Sequence, residues 1–84
     1  MITIYGRANC TNCRATEQYL DRFGIHYLYV DLTDNQGELD KLAEMGYSAL
    51  PVVVGKDKNG NDYSFCGFNQ QFLKKIIEGE SANG

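Results

Sequence analysis

Two cysteines three positions apart are the residues in this chain whose type and spacing most clearly support a reaction. They lie in the segment Cys10-Thr11-Asn12-Cys13, which follows a β-branched stretch and a small polar loop. Apolar residues at helical spacing from Ala15 to Phe23 predict a helix that begins at Asn12 or Cys13, so Cys10 should lie just before its first turn. Free backbone N–H groups and the positive end of the helix dipole favour a thiolate there. We therefore expect Cys10 to attack a disulfide and Cys13, one helical turn further on, to resolve the mixed disulfide.

The other potential ligand residues do not complete a metal site around this pair. A zinc site would need two more ligands, and only Cys66 and His26 are available, at irregular spacing. Cys66 has two interpretations, a small apolar residue at the end of a strand or a second redox-sensitive thiol. We expect a structural role for His26, because dithiol exchange needs no imidazole. No metal is therefore expected.

Length and charge exclude several classes of function. The 84 residues can form one small domain, and the 8 basic residues are scattered among 11 acidic ones, for a net charge of −3. This distribution argues against a nucleic-acid partner. No apolar run is long enough to span a membrane, and the first residues do not have the pattern of a signal peptide. We expect a monomer in a reducing cytoplasm.

Hydrophobic patterning and turn residues predict the order β-α-β-α-β-β-α. The expected strands are residues 1–5, 26–30 and 50–54 and a fourth from residue 62 to residue 65 or 66. The expected helices run from residue 12 or 13 to residue 23, over residues 38–45, and from about residue 69. A right-handed parallel β-α-β unit and a closing hairpin at Asn59-Gly60 make a mixed four-stranded sheet flanked by helices. Residues 1–78 should form the single domain, and residues 79–84 a flexible C-terminal tail.

The same patterning predicts which residues face the core. The nearly continuous apolar second strand should be covered on both faces. Residues of the first helix that share a side, and should pack inward, are Ala15, Tyr19, Leu20 and Phe23. The inward residues of the second helix should be Leu39, Leu42 and Ala43.

Three stretches together resemble the glutaredoxin branch of the thioredoxin fold, and within it the NrdH-redoxins. They are residues 2–13 with the Cys-X-X-Cys pair, Leu50-Pro51-Val52-Val53, and Ser64-Phe65-Cys66-Gly67-Phe68. The resemblance extends over residues 1–77 and implies the α/β thioredoxin fold, with Cys10 as nucleophile and Cys13 as resolving thiol. It also implies a groove for the substrate or partner protein, formed by Arg7, Thr11, Asn12, Leu50, Pro51, Gly67 and Phe68.

Pro51 illustrates what the resemblance adds to the local sequence. By itself, a proline that opens a strand is most often preceded by a trans bond. In the family that the chain resembles, the equivalent bond is cis, which exposes the backbone of the preceding residue to a substrate. We therefore expect a cis bond between Leu50 and Pro51, beside the loop that carries Cys10.

The resemblance implies a thiol-disulfide oxidoreductase that carries electrons on a redox-active Cys10–Cys13 disulfide, without a bound cofactor. NrdH-redoxins take electrons from thioredoxin reductase and pass them to ribonucleotide reductase, whereas ordinary glutaredoxins are reduced by glutathione. Two alternatives remain open. One is a glutathione-dependent glutaredoxin, and the more distant one is a metal or iron–sulfur binding module that uses Cys10.

The stretch from residue 65 to residue 70 departs from both patterns. NrdH-redoxins usually have Trp-Ser-Gly-Phe-Arg-Pro where this chain has residues 65–70, Phe-Cys-Gly-Phe-Asn-Gln. Glutaredoxins usually have a Gly-Gly pair followed by an Asp that helps to hold glutathione. Here Phe68 replaces the second Gly, and Asn69 and Gln70 offer no carboxylate. This difference counts against glutathione as the reductant.

Overall fold

Helices and strands follow one another in the order that the sequence predicts. The computed structural model describes residues 2–57 and 59–81. Its elements are β1 (Ile2–Gly6), α1 (Thr11–Arg22), β2 (Tyr27–Asp31), α2 (Gln36–Glu44), β3 (Val52–Lys56), β4 (Asp62–Cys66) and α3 (Gln70–Ser81). No helix in this described part of the chain is both long and apolar enough to cross a membrane.

The four strands form one mixed sheet in the order β2-β1-β3-β4. β1 pairs with β2 in parallel and with β3 antiparallel, and β3 pairs antiparallel with β4. The predicted mixed four-stranded sheet is confirmed. Its central strands, β1 and β3, are rich in isoleucine and valine, which suit a strand with neighbours on both sides.

The expectation that β2 is covered on both faces is wrong. β2 lies at the edge of the sheet, and Leu28 is 57% exposed. Tyr27 and Tyr29, which alternate with Leu28, are half-buried and pack against the core. The core lies on the face where side chains of α1 and α3 meet β1 and β3, at Ile2, Ile4, Leu20, Val53, Leu73, Ile76 and Ile77. Because the core helices pack on that face alone, the other face of β2 stays open.

Helix α1 turns much of the predicted side to the core, because Leu20 is buried, Tyr19 packs against the core and Ala15 is half-buried. Its buried residues are Cys13, Thr16 and Leu20, whereas Phe23 is 49% exposed. The pattern of apolar residues does not predict Thr16 on the inward side of α1, because threonine is polar. Its hydroxyl donates to the Asn12 carbonyl oxygen at 2.9 Å, and this bond satisfies the polar group inside the core.

Helix α2 packs less closely than predicted. None of its residues is buried; Leu39 and Leu42 are half-buried, and Ala43 is exposed, so the expectation for Ala43 is wrong. The Asn35 side chain caps the helix by accepting the Glu38 N–H at 3.2 Å. Leu39 and Leu42 therefore keep apolar surface that the core does not cover.

The turn between β3 and β4 agrees with the prediction, whereas the end of α3 differs from it. The Asn59-Gly60 turn does join β3 to β4, and the positive φ of 85° at Gly60 suits a glycine. Helix α3 continues to Ser81, into the segment expected to be a tail. The remainder of that expected tail, residues 82–84, lies outside the described residues.

The position of Leu73 makes the core testable. Leu73 on α3 is fully buried, and we expect Leu73→Ala to lower the free energy of unfolding by about 2–5 kcal/mol through lost burial and the cavity left behind. Leu28→Ala is the matched control, because it removes the same atoms from an exposed site. Urea unfolding followed by circular dichroism measures both. Equal losses in the two variants would contradict this packing.

Candidate active site at the Cys10–Cys13 pair

Cys10 is the N-cap of helix α1. Its backbone is extended, with φ −108° and ψ 106°, and its Sγ accepts the Cys13 N–H at 3.1 Å. The Cys10 carbonyl accepts the Arg14 N–H at 3.1 Å and so begins the helical bonding. The predicted position of Cys10 just before the first turn of a helix is confirmed.

Cys10 and Cys13 are joined in a disulfide, with their Cα atoms 5.2 Å apart. Their environments differ: Cys10 is half-buried, whereas Cys13 is only 1% exposed and faces the core. An approaching thiol or disulfide therefore reaches the sulfur of Cys10 more easily than that of Cys13.

The loop before Cys10 is held by the segment that follows β2. The Ala8 N–H donates to the Thr33 hydroxyl at 2.9 Å, and Thr33 donates from its N–H and its hydroxyl to the Asp31 carboxylate. These bonds from Thr33 lower the pKa of Asp31. Asn9 takes a positive φ of 60°, which lets the loop turn into the helix.

A groove of about 370 Å³ opens on one side of Cys10. Arg7 and Leu50, two of the predicted binding residues, line it with Cys10. The remaining lining residues come from α2, from the segment after α2 and from β3: Gln36, Leu39, Leu42, Tyr47, Ser48, Ala49 and Val52. Within the described residues, the only charged side chain that lines the groove is that of Arg7.

The Pro51 segment lies beside this groove. The Leu50–Pro51 bond is cis, as the resemblance implied, and Pro51 itself is buried. Gly67, with a φ of 78°, donates its N–H to the Pro51 carbonyl at 2.9 Å. Phe68 is 38% exposed, and its ring meets the ring of Tyr19 edge-on, with centroids 6.2 Å apart. Gly67 is thus tied to Pro51, whereas Phe68 reaches α1.

A second, more polar cavity of about 540 Å³ opens on the other side of the pair. Its lining residues are Arg7, Ala8, Asn9, Cys10, Thr11, Cys13, Arg14, Glu17, Tyr29 and Asp31. Thr11 therefore lies on the side away from the groove. Asn12 lines neither space; it is exposed, and its carbonyl is used by Thr16.

Burial and neighbouring charges shift two titrating groups in this second cavity. Burial, and then the nearby Asp21 carboxylate, raise the pKa of Glu17. Burial, and then the Glu17 and Asp31 carboxylates, raise the pKa of Tyr29. Tyr29 therefore stays protonated at neutral pH and keeps a hydroxyl that can donate a hydrogen bond.

Sequence reasoning missed much of both linings. Leu39 and Leu42 were expected in the core, and no role was assigned to Tyr47, Tyr29 or Glu17. Only Glu17 had a local indication, because it lies one helical turn after Cys13 on the same side of α1. The other lining residues are brought together only by the tertiary arrangement of the helices, strands and connecting segments.

The remaining ligand-type residues stay apart from the pair. Cys66 is a half-buried free thiol in register with Val52 of β3, and His26 is exposed before β2. Among residues 2–57 and 59–81, no three His, Cys, Asp or Glu side chains group as a metal site would require.

Comparison with known proteins identifies the family. The glutaredoxin family model matches residues 2–59. The glutaredoxin-like protein NrdH of Lactococcus lactis subsp. cremoris is 30% identical over 76 residues, covering 90% of this chain and 99% of that protein. NrdH of Salmonella typhimurium is 31% identical over 75 residues, covering 89% and 86%.

A solved structure agrees with these sequence matches. That of the glutaredoxin-like protein NrdH-redoxin from Escherichia coli, whose activity profile is described as thioredoxin-like, superimposes with a TM-score of 0.76 at 27% identity. The match covers 89% of this chain and 92% of that one, and it confirms the thioredoxin fold. The chain therefore belongs to the glutaredoxin family, as a thiol-disulfide oxidoreductase of the NrdH-redoxin type whose Cys-X-X-Cys pair is Cys10 and Cys13.

Proposed function

We propose that this protein takes electrons from thioredoxin reductase and passes them to a disulfide of ribonucleotide reductase, with Cys10 as the attacking thiolate. The observation that carries the proposal is the groove beside Cys10, which is lined by Leu39, Leu42 and Leu50 and, within the described residues, by a single charged side chain, that of Arg7. We also infer that the protein works as a monomer in a reducing cytoplasm and holds no cofactor.

Both cysteines take part in two successive exchanges. The Cys10 thiolate attacks one sulfur of the substrate disulfide, forming a mixed disulfide and releasing the other substrate sulfur as a thiolate. The Cys13 thiolate then attacks Cys10 Sγ, which forms the Cys10–Cys13 disulfide and releases the second substrate thiolate. The substrate gains two electrons and two protons, and the reductase later returns the same number to the protein.

The position of Cys10 at the helix N-terminus supports its role as nucleophile. The Cys13 N–H that now points at Cys10 Sγ would also bind a Cys10 thiolate, and the helix dipole favours negative charge at this end. Cys10 is also the more accessible sulfur, so the substrate meets the sulfur that is better able to attack.

The lining of the groove supports a protein segment as substrate. Leu39, Leu42 and Leu50 offer apolar surface to an extended chain, and the backbone at Leu50 lies where such a chain would pass. Glutathione carries two carboxylates and an amino group, so it would need several charged partners. Within the described residues the groove offers only the cation of Arg7, which argues against glutathione bound along this groove.

The choice of reductant is tested by coupled NADPH oxidation with two reducing systems run in parallel. We expect turnover of a disulfide substrate with thioredoxin reductase and rates near background with glutathione and glutathione reductase. Turnover only in the glutathione arm would contradict the proposal and would identify a glutathione-dependent glutaredoxin. With the reductase arm active, reduction of oxidised ribonucleotide reductase is the decisive substrate assay.

The two cysteine roles are separated by single substitutions. We expect Cys10→Ser to lose turnover to background, because no nucleophile remains at the accessible position. Cys13→Ser should still attack, and should accumulate a mixed disulfide with the substrate that mass spectrometry detects. Cys66→Ser is the control and should keep normal turnover. Retained activity in Cys10→Ser would refute the assignment.

The groove is tested by placing a charge on α2. Leu42→Asp should raise KM for a protein disulfide by about tenfold, the equivalent of losing ~1.4 kcal/mol of contact, and leave reduction of a small aromatic disulfide unchanged. Ala43→Asp is the matched control, since Ala43 is exposed on the same helix and does not line the groove. If both variants behaved alike, the groove would not be the docking surface.

A further inference from the structure

When the disulfide opens, the negative charge on the Cys13 sulfur is poorly solvated, because this sulfur is buried. Attack on Cys10 by a reductant makes Cys13 the leaving group, so a negative charge forms on a sulfur that is 1% exposed. A buried thiolate is costly unless a donor binds it. The Cys13 N–H already points at Cys10 Sγ, so another donor is needed for Cys13.

Gly6 shows which group lies next to that sulfur. A Cβ built on Gly6 would lie 2.9 Å from Cys13 Sγ and would collide with the Tyr29 hydroxyl. Both atoms therefore occupy the space beside Gly6, separated by no more than the sum of their two distances from that point. Cys13 and Tyr29 also line the same polar cavity. The hydroxyl thus lies close to the sulfur on the side away from the groove.

The Tyr29 hydroxyl is also free to donate. Among the described residues it makes no hydrogen bond in this disulfide form, whereas the hydroxyl of Tyr27, two residues earlier on the same face of β2, donates to the Asp21 carboxylate at 3.0 Å. The ring of Tyr29 packs against the core, which fixes the direction of its hydroxyl.

We propose that the Tyr29 hydroxyl donates a hydrogen bond to the Cys13 thiolate that forms whenever the Cys10–Cys13 bond is opened at Cys10. The inference rests on the proposed role of Cys10 as the attacked sulfur. When the disulfide is reduced, the bond stabilises the leaving Cys13 thiolate. When substrate is reduced, the Cys13 thiol loses its proton to solvent in the open cavity, and the same bond stabilises the thiolate that attacks Cys10.

The charges around Tyr29 suit a neutral donor. Burial, and then Glu17 on α1 and Asp31 on β2, raise the pKa of Tyr29, so its hydroxyl stays protonated. Arg7 in the loop and Arg14 on α1 line the same cavity and oppose these two carboxylates. Because the charges at the edge of the cavity are of both signs, a Cys13 thiolate still needs a neutral donor beside it, and the Tyr29 hydroxyl is placed to become that donor.

The first test measures the titration of Cys13 as the only thiol. In the Cys10→Ser, Cys66→Ser background, the 13Cβ chemical shift of Cys13 is followed against pH. Adding Tyr29→Phe should raise the titration midpoint by about one pH unit, the size expected for losing a hydrogen bond to a charged group. Tyr27→Phe, which removes a hydroxyl from the same strand, should leave it unchanged. No shift, or the same shift in both variants, would overturn the proposal.

The second test separates this role from a structural one. In the Cys66→Ser protein, a mixed disulfide of Cys10 with an aromatic thiol is formed at acid pH, and its resolution is followed after a jump in pH. A thiolate with a midpoint one unit higher is about tenfold less populated below both midpoints but about threefold more nucleophilic. Tyr29→Phe should therefore resolve about threefold more slowly at low pH and about threefold faster at high pH.

We therefore expect the pH profile of resolution in Tyr29→Phe to cross that of the Cys66→Ser parent protein. A slowdown of Tyr29→Phe by one constant factor at every pH would indicate misplacement of Cys13 and would overturn the proposal. The titration of the single thiol does not depend on Cys10, so its failure leaves the proposed exchange reaction standing. Conversely, turnover by Cys10→Ser would refute the exchange scheme and leave the titration result intact.

Discussion

The bond from the Cys13 N–H to Cys10 Sγ is the interaction on which the site depends. Helix N-caps are commonly Ser, Thr, Asp or Asn, whose oxygen accepts a free N–H of the first turn. Here a sulfur does so, and that sulfur is the accessible member of the redox pair. The start of α1 and the reactivity of Cys10 thus have one cause. The helix then places Cys13 one turn later, on the side that packs against the sheet.

Because of that placement, the two sides of the dithiol offer different surroundings. On one side, α2 and the segment before Pro51 form a groove at Cys10 whose lining includes three leucines. On the other, β2 and α1 form a polar cavity that reaches Cys13. In the function proposed here, a substrate chain lies on the first side and proton exchange takes place on the second. The loose packing of α2, which has no buried residue, is what leaves its leucines available to the groove.

The sequence predicted the dithiol and the element order because both depend on local patterns. The cis bond before Pro51 required the family resemblance, since local preference favours trans. The apolar pattern of α1 predicts Leu20 on the inward side but not Thr16, whose hydroxyl is satisfied there by a backbone carbonyl. The exposure of Leu28 follows from the edge position of β2, which strand order decides. Groove and cavity linings were missed for the same reason, since they join segments distant in sequence.

One glycine in each of the two central strands is covered by a tyrosine from a neighbouring strand. A Cβ at Gly55 of β3 would collide with the ring of Tyr63, its partner in register on β4. A tyrosine thus covers a glycine on a neighbouring strand, an arrangement that fills the missing side chain. At Gly6 the covering tyrosine is Tyr29, which is in register with Ile4 and reaches Gly6 diagonally.

The two glycine–tyrosine pairs differ in which other atoms lie close to the glycine. Beside Gly55, the atoms that a Cβ would meet first all belong to Tyr63, so the pair is explained by packing. Beside Gly6, the Cys13 sulfur shares the space with the Tyr29 hydroxyl. Any side chain at Gly6 would displace one or both. The glycine at the end of β1 therefore leaves room for both the Cys13 sulfur and the Tyr29 hydroxyl, although it lies outside the Cys-X-X-Cys segment.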